Sequence, residues 1–348
     1  MSKSVSIVFP HQLYKNNPIV QEGRSIYLVE EELYFKQYSF HQQKLVLHRA
    51  SMQFYKQYLV NQGLEVHYID CKHPQSNCAL LIEDLAKSGV TEIHMNEVVD
   101  NWLMKRMVTT CDKFTISLQV LDSPNFLNTT KSVADFFDNR KTYFQTDFYT
   151  WQRKQRKVLM NEEGKPEGGK WTYDAENRAK FPKKELVPNL PLPKENEFII
   201  EARKYVQQNF SNNYGEINGP YLFATTFKES EDWLDEFLLN RFEKFGIYED
   251  AIVTKETVLH HSVLSPMLNI GLLTPEQIIS KALIIGQEKN IPLNSLEGFI
   301  RQVMGWREFI KIVYEREGTK QLTTNYWKFT RKIPASFWKG TTGIPPID

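Results

Sequence analysis

Cysteine is scarce: Cys71, Cys78 and Cys111 are the only three in 348 residues. Three scattered thiols make neither a disulfide framework nor a metal site of defined ligand spacing. They read as free thiols in a reducing cytoplasm, and no metal ligands are assigned. An excess of one charge is also missing. Lys+Arg total 43 and Asp+Glu 42, a net charge of +1. That balance argues neither for nor against nucleic acid and leaves the question to local clustering. Long apolar runs are absent, and the opening MSKSVSIVFPHQL is broken at Pro10. This excludes a membrane span and a secretory leader, so a soluble cytoplasmic monomer is expected. No G-x-G-x-x-G follows any strand candidate, which removes the NAD-type fingerprint. What remains is 41% apolar and 24% charged, enough for a sizeable core and two domains.

The first ~125 residues alternate β-like and helical runs, the signature of an α/β fold with a parallel sheet. Val5–Phe9, Ser25–Val29, Leu64–Ile69, Glu92–Met95 and Leu118–Leu121 read as five strands. Gln42–Gln62 and Cys78–Ser88 read as amphipathic helices stopped at Gly63 and Gly89. Any ligand of this half would sit beyond the carboxyl ends of the strands. Residues 164–178, GKPEGGKWTYDAENR, form a polar glycine-rich loop. Pro182, Pro188, Pro191 and Pro193 then mark a linker. After it, helical patterns run at Glu197–Asn209, Ser230–Phe245, Pro275–Lys289 and Ser295–Glu315, an all-α domain. The expected division is an α/β domain over 1–135, a basic helix, loop and linker over 136–196, and a helical domain over 197–348.

Three segments carry candidate chemistry. Residues 143–157, YFQTDFYTWQRKQRK, end in Arg153, Lys154, Arg156 and Lys157. They read either as a solvated basic face or as a phosphate-contacting patch with aromatic support. In HHSVLSP, the adjacent His260 and His261 make a poor metal pair. Ser262 and Ser265 read as caps of the helix around Pro266, and the same hydroxyls and amides could cradle a phosphate. In EGFIRQVMGWREF, Arg301, Gln302, Arg307 and Glu308 crowd a tryptophan-bearing face. Polar groups at such positions need partners or a ligand. Arg307 is either one half of an interhelical salt bridge or a phosphate clamp. Tyr248, alone, reads as a half-buried core tyrosine.

These segments, with KLVLHRASMQFY (44–55), FGIYEDAI (245–252) and PASFWKG (334–340), resemble the bacterial iron–sulfur cryptochrome/photolyase family, the deoxyribodipyrimidine photolyase-related proteins. Several of its members are (6-4) photolyases. The resemblance implies an N-terminal α/β antenna domain and a C-terminal helical domain that binds FAD. It implies FAD-phosphate contacts from Ser262, Val263, Leu264 and Ser265, and a flavin contact from Tyr248. Gln302, Trp306 and Arg307 would line the flavin and the lesion pocket. The implied activity is blue-light-driven repair of UV-damaged DNA by electron transfer to a flipped lesion. Alternatives are a blue-light receptor and a non-catalytic remnant. Arg153, Lys154, Arg156, Lys157 and Lys170 would contact the DNA.

Two departures from the family stand out. The family continues past the equivalent of Asp348, so the chain reads as C-terminally truncated. The catalytic histidines and the four cysteines of its 4Fe-4S cluster lie in that part, and Cys71, Cys78 and Cys111 match none of the ligands. The family's Gly-Asp-Gln-Leu after the first strand, near a lumazine antenna, is Pro10–His11–Gln12–Leu13 here. His11 would be a substitute hydrogen-bond partner or a plain surface residue.

Overall fold

In the computed structural model, residues 3–345 and 347–348 are described. Five strands form one parallel sheet in the order β3-β2-β1-β4-β5. They are β1 (Lys3–Val8), β2 (Ser25–Val29), β3 (Val66–Ile69), β4 (Val90–Asn96) and β5 (Ser117–Leu121). Val5 faces Ser25 on one side of β1 and Ile93 on the other. The strand order reverses between β1 and β4, which puts a crevice at their carboxyl ends. The helices Gln42–Val60 and Cys78–Lys87 form where the periodicity places them. A further helix, Asn101–Lys113, went unread between β4 and β5; Asp100 caps it by accepting from the Leu103 amide at 2.8 Å.

Residues up to Ile310 pack as one compact unit and Lys311–Asp348 as a second. In the first unit one apolar core runs from Val8, Ile26 and Leu28 of the sheet to Phe237, Phe242 and Phe299 of the helices. The helix Glu197–Asn209, the first after the proline-rich linker, lies against Gln42–Val60. A partly buried ion cluster helps to fix it. Arg49 donates to Glu30 at 2.9 Å, to Asp70 at 2.8 Å and to Glu201 at 2.7 Å. Glu30 also accepts from the Tyr68 hydroxyl and the Cys71 amide. Thus charges from the ends of β2 and β3 meet one from the Glu197–Asn209 helix.

The crevice beside β1 is closed by polar side chains. Gln12, wholly buried, donates to the carbonyls of Asn96 at 3.0 Å and Glu97 at 3.3 Å. His11 is half-buried, with both ring nitrogens enclosed, rather than a plain surface residue. Its ring is stacked on Tyr34 at 5.1 Å and lies beside Phe9, and burial lowers its pKa to about 4. Both ring nitrogens are enclosed without a partner among the described residues.

Candidate functional site

The second half of the first unit holds an open cavity of about 400 Å³. That volume lies in the usual range of small-molecule sites, ~300–1,000 Å³. Phe245, Leu268, Ile278, Phe299 and Val303 form its apolar walls, and Glu249, His261, Ser262, Ser265, Gln302 and Arg307 supply polar groups. Two π-helical turns occur in this half, and only Arg301–Arg307 lines the cavity. One, Arg301–Arg307, follows the helix Leu293–Ile300; the other, Phe237–Arg241, follows Phe227–Glu236. A π-turn inserts an extra residue per turn, re-aims side chains and is frequent at functional sites. Here it brings Gln302, Val303 and Arg307 into one lining.

The turn His261–Ser265 is held from behind. The Trp233 indole donates to the Ser262 carbonyl at 2.8 Å, and Arg241 donates to the His261 carbonyl. Arg241 is fully buried and forks onto Glu236, with 2.9 and 2.6 Å bonds to Oε2. The carbonyls of two successive residues are thereby turned away from the cavity. Val263 sits at φ 54°, left-handed and strained for a β-branched residue, and Leu264 follows at φ −84°, ψ −14°. A left-handed residue followed by a right-handed one makes successive amides converge into an anion-binding nest. Among the described residues, no acceptor pairs with the amides of Ser262, Val263, Leu264 or Ser265. The expected serine cap is not formed: the helix Ser265–Ile270 has no side-chain cap, and its second residue, Pro266, has no N–H.

Arg307 reaches the same cavity. It donates to the Asn269 side-chain oxygen at 2.6 Å and to the Asn125 carbonyl at 3.3 Å, and it lies over the Phe126 ring at 4.9 Å. Those partners are neutral. Among the described residues Arg307 forms no ion pair, so the salt-bridge alternative is not realised. Burial pulls its pKa down, partly offset by the nearby Glu308. Glu308 points elsewhere and accepts from the amides of Leu127 at 2.9 Å and Asn128 at 3.0 Å. A half-buried cation with only neutral partners favours an anion beside it. A carboxylate also lines the cavity. Glu249 accepts from Gln302 at 2.5 Å and from Asn177 at 3.1 Å, and Arg301 is 3.5 Å away. The lining thus combines an amide nest, an unpaired guanidinium, flat apolar walls and one carboxylate acceptor. That set fits a phosphorylated, planar, N–H-bearing ligand.

Of the eight expected cofactor residues, Ser262, Val263, Leu264, Ser265, Gln302 and Arg307 meet in this lining. Two do not. Tyr248 packs against Phe181 at 5.0 Å and His260 at 5.7 Å, within a satellite cluster. Its neighbour Glu249 faces the cavity instead. Trp306 is 42% exposed and meets Phe309 edge-on, outside the lining. Sequence reasoning passed over Glu249 and Phe245. Both lie in the quoted FGIYEDAI segment, and the carboxylate beside the tyrosine was the available signal.

The basic segment divides. Arg153 cannot meet a phosphate: it is 1% exposed, and its guanidinium donates to the carbonyls of Val158, Leu159 and Trp171. Arg156 is tied to the Leu127 carbonyl and the Asn128 side chain. Lys170 pairs with Glu176 at 2.7 Å. Lys154 and Lys157 are exposed, and Lys154 lies 5.1 Å over the Trp171 ring. Of the five expected DNA contacts only Arg153 is buried, and Lys154, Lys157 and the also exposed Arg156 form no ion pair among the described residues.

The cysteines do not fit the family's iron–sulfur cluster. All three cysteines are buried, and burial first of all pushes their pKa values up, to about 12 for Cys71 and about 11 for Cys111, with Cys78 also raised. A 4Fe-4S cluster takes four cysteine ligands, and this sequence has three. At the turn expected beside a lumazine antenna, Gln12 donates to the Asn96 carbonyl and the two His11 ring nitrogens have no partner among the described residues. Among the described residues, no helix is long and apolar enough to cross a membrane.

A (6-4) photolyase of Agrobacterium fabrum is 28% identical over 309 residues, which are 87% of this chain and 60% of that protein. The chain therefore spans less than two thirds of this relative's length. Two uncharacterized proteins of Acanthamoeba polyphaga mimivirus are 31% identical over 197 residues and 39% identical over 103 residues. These matches take in 53% and 29% of this chain, and 98% and 78% of the viral proteins. The crystal structure of a bacterial class III photolyase from Agrobacterium tumefaciens superposes with a TM-score of 0.60 at 14% identity, covering 100% of this chain and 67% of that one. At that identity the likeness shows a shared fold alone. The family model described as deoxyribodipyrimidine photo-lyase-related protein matches residues 6–221, well over half of the chain, and the chain belongs to that family.

Proposed function

We propose that this protein binds FAD in the cavity and takes part in blue-light-driven repair of UV-damaged DNA, with (6-4) photoproducts as the lesion. The observation that carries the reading is the meeting of the Ser262–Ser265 amides with Arg307 in one apolar-walled cavity. The amides and the guanidinium bind the pyrophosphate. Phe299, Val303 and Leu268 exclude water from the ring system, and Glu249 accepts from a ring N–H. Bound and reduced, the flavin supplies the photoexcited electron donor. Family membership and the (6-4) photolyase relative support the assignment of chemistry and lesion.

The test is binding and repair together. FAD titrated into the purified protein should bind, and Arg307→Met should weaken binding at least tenfold, the loss of about 1.5–3 kcal/mol for one charged hydrogen-bonding partner. Full FAD affinity in that variant would remove Arg307 from the phosphate site. Repair is read as light-dependent, flavin-dependent loss of (6-4) photoproducts from irradiated duplex. Flavin uptake without repair would leave cofactor binding and withdraw the enzymatic reading.

DNA contact is assigned to Lys154 and Lys157. Replacing both by glutamate should weaken duplex binding and flatten the slope of log K against log salt by about 2, since each phosphate contact contributes roughly 0.9. Arg153→Met should leave that slope unchanged and lower stability instead. The reverse pattern would overturn the assignment.

A further inference from the structure

His260 and His261 are neighbours in sequence, yet their rings serve different cavities. His261 lines the cavity beside the amide nest. His260 lines a second, open cavity of about 530 Å³, bordered by residues 184–188 of the linker and by Asn240, Glu243 and Lys244. The His260 side chain is buried, its ring tilted against Tyr248 at 5.7 Å and Phe181 at 6.2 Å. Its Nδ1 lies 3.3 Å from the Arg241 carbonyl, so Nδ1 carries the proton and donates it. In the neutral ring Nε2 is then the bare nitrogen. That atom is enclosed and has no partner among the described residues. Arg241 returns the bond: its guanidinium donates to the carbonyl of His261, the next residue. The two bonds form a reciprocal clasp. It sits directly before the nest, whose left-handed backbone begins at Val263.

We propose that His260 is a positioning residue and an acid-sensitive latch: its neutral ring holds the clasp shut, and a proton on Nε2 releases the clasp and opens the Ser262–Ser265 turn. Inside the clasp the added N–H would be enclosed without an acceptor, and a charge would be buried with it. The open cavity beside the ring gives it room to leave. Glu185 and Glu243 on the border of that cavity favour a cation there.

The titratable and charged groups around the ring come from three stretches. They are Lys184 and Glu185 from the linker, Arg241, Glu243 and Lys244 from the π-turn and the residues after it, and Tyr248. Arg241 and Lys244 oppose a charge on the ring, whereas Glu185, itself paired with Lys244, favours one. Burial is the largest influence and holds the pKa of His260 below the ordinary histidine value. The sign follows from that direction. A ring released into solvent titrates at about 6.5, above the clasped ring. The shut clasp is therefore favoured above that pH and is lost as pH falls below it. Acidification should weaken FAD binding, a consequence that rests on the FAD reading; the latch itself does not.

The test uses the full chain labelled with 5-fluorotryptophan. Trp233, one of seven tryptophans, donates to the Ser262 carbonyl at 2.8 Å and so reports on the turn without any ligand. Trp233→Phe assigns its fluorine resonance. Between about pH 7.5 and about pH 5.5 that resonance should move reversibly. In His260→Asn, whose amide can donate in place of Nδ1 but does not titrate, it should stay still. If far-UV spectra show that this variant does not fold, His260→Gln is read in the same way. The FAD affinity of the unmodified sequence should fall at least about threefold over the same interval, within the roughly tenfold per pH unit that one proton allows, and the variant's profile should be flat. A resonance indifferent to pH, one that still moves in the variant, or equal FAD affinity at the two pH values would overturn the proposal. A moving resonance with no FAD uptake at either pH counts against the FAD reading alone.

Discussion

Substituting Arg241 by methionine should cost the protein its grip on FAD and about 3–5 kcal/mol of stability, the usual penalty for removing one member of a buried pair. Arg241 touches no ligand in this account; it is a positioning residue. Its side chain is 0% exposed and its partner Glu236 11% exposed, so the variant leaves a nearly buried carboxylate without a counter-charge. It also frees the His261 carbonyl, one of the two that Arg241 and Trp233 hold away from the cavity. Without that hold, the left-handed backbone of Val263 has about 1–3 kcal/mol of strain to release, and the amide nest opens. A merely structural role would cost stability alone. The double variant Arg241→Met with Glu236→Gln separates the two. Urea unfolding should recover much of the loss, whereas FAD affinity, measured well below the unfolding transition, should stay at least tenfold down. Wild-type affinity in the refolded double variant would show that the brace does not set the turn.

The second large effect lies in the sheet half. Arg49→Met should lower stability by about 3–5 kcal/mol, because it strands Glu30 at 0% exposure with Asp70 nearby. Burial already raises the pKa of Glu30 and Arg49 opposes that shift, so removing Arg49 drives the carboxyl further up. Glu30→Gln in the same background removes the stranded charge and should restore part of the loss. Equal unfolding midpoints for the single and double variants would mean that Glu30 is not the group being stranded. FAD affinity should be unaffected, since none of these residues lines the cavity.

The sheet was legible because parallel strands buried on both faces read as short apolar runs between turn residues, as at Ser25–Val29. The turn that lines the cavity was legible as HSVLS because two serines and a helix start sit within five residues, although the expected serine cap does not form. Other features need distant parts of the chain. Arg153 looks like a DNA contact in QRKQRK, yet its acceptors are carbonyls at 158, 159 and 171 that meet it only once the loop folds back. Arg301 looked like a ligand-seeking charge and instead pairs with Asp174 at 3.2 Å, across the GGKWTYDAENR loop. The tyrosine of FGIYEDAI drew attention where the glutamate beside it faces the cavity. The π-helical turns leave no sequence period of their own, so the side on which Trp306 would fall could not be read.

At the centre stands one statement: the Ser262–Ser265 amides and Arg307 together hold a pyrophosphate. The direct measurement compares FAD with riboflavin, which has the same ring system and no phosphate, by titration at one ionic strength. Two charged interactions at about 1.5–3 kcal/mol each predict at least roughly a hundredfold preference for FAD, and Arg307→Met should shrink it at least tenfold. Equal affinity for the two, or a preference indifferent to Arg307, would contradict the account.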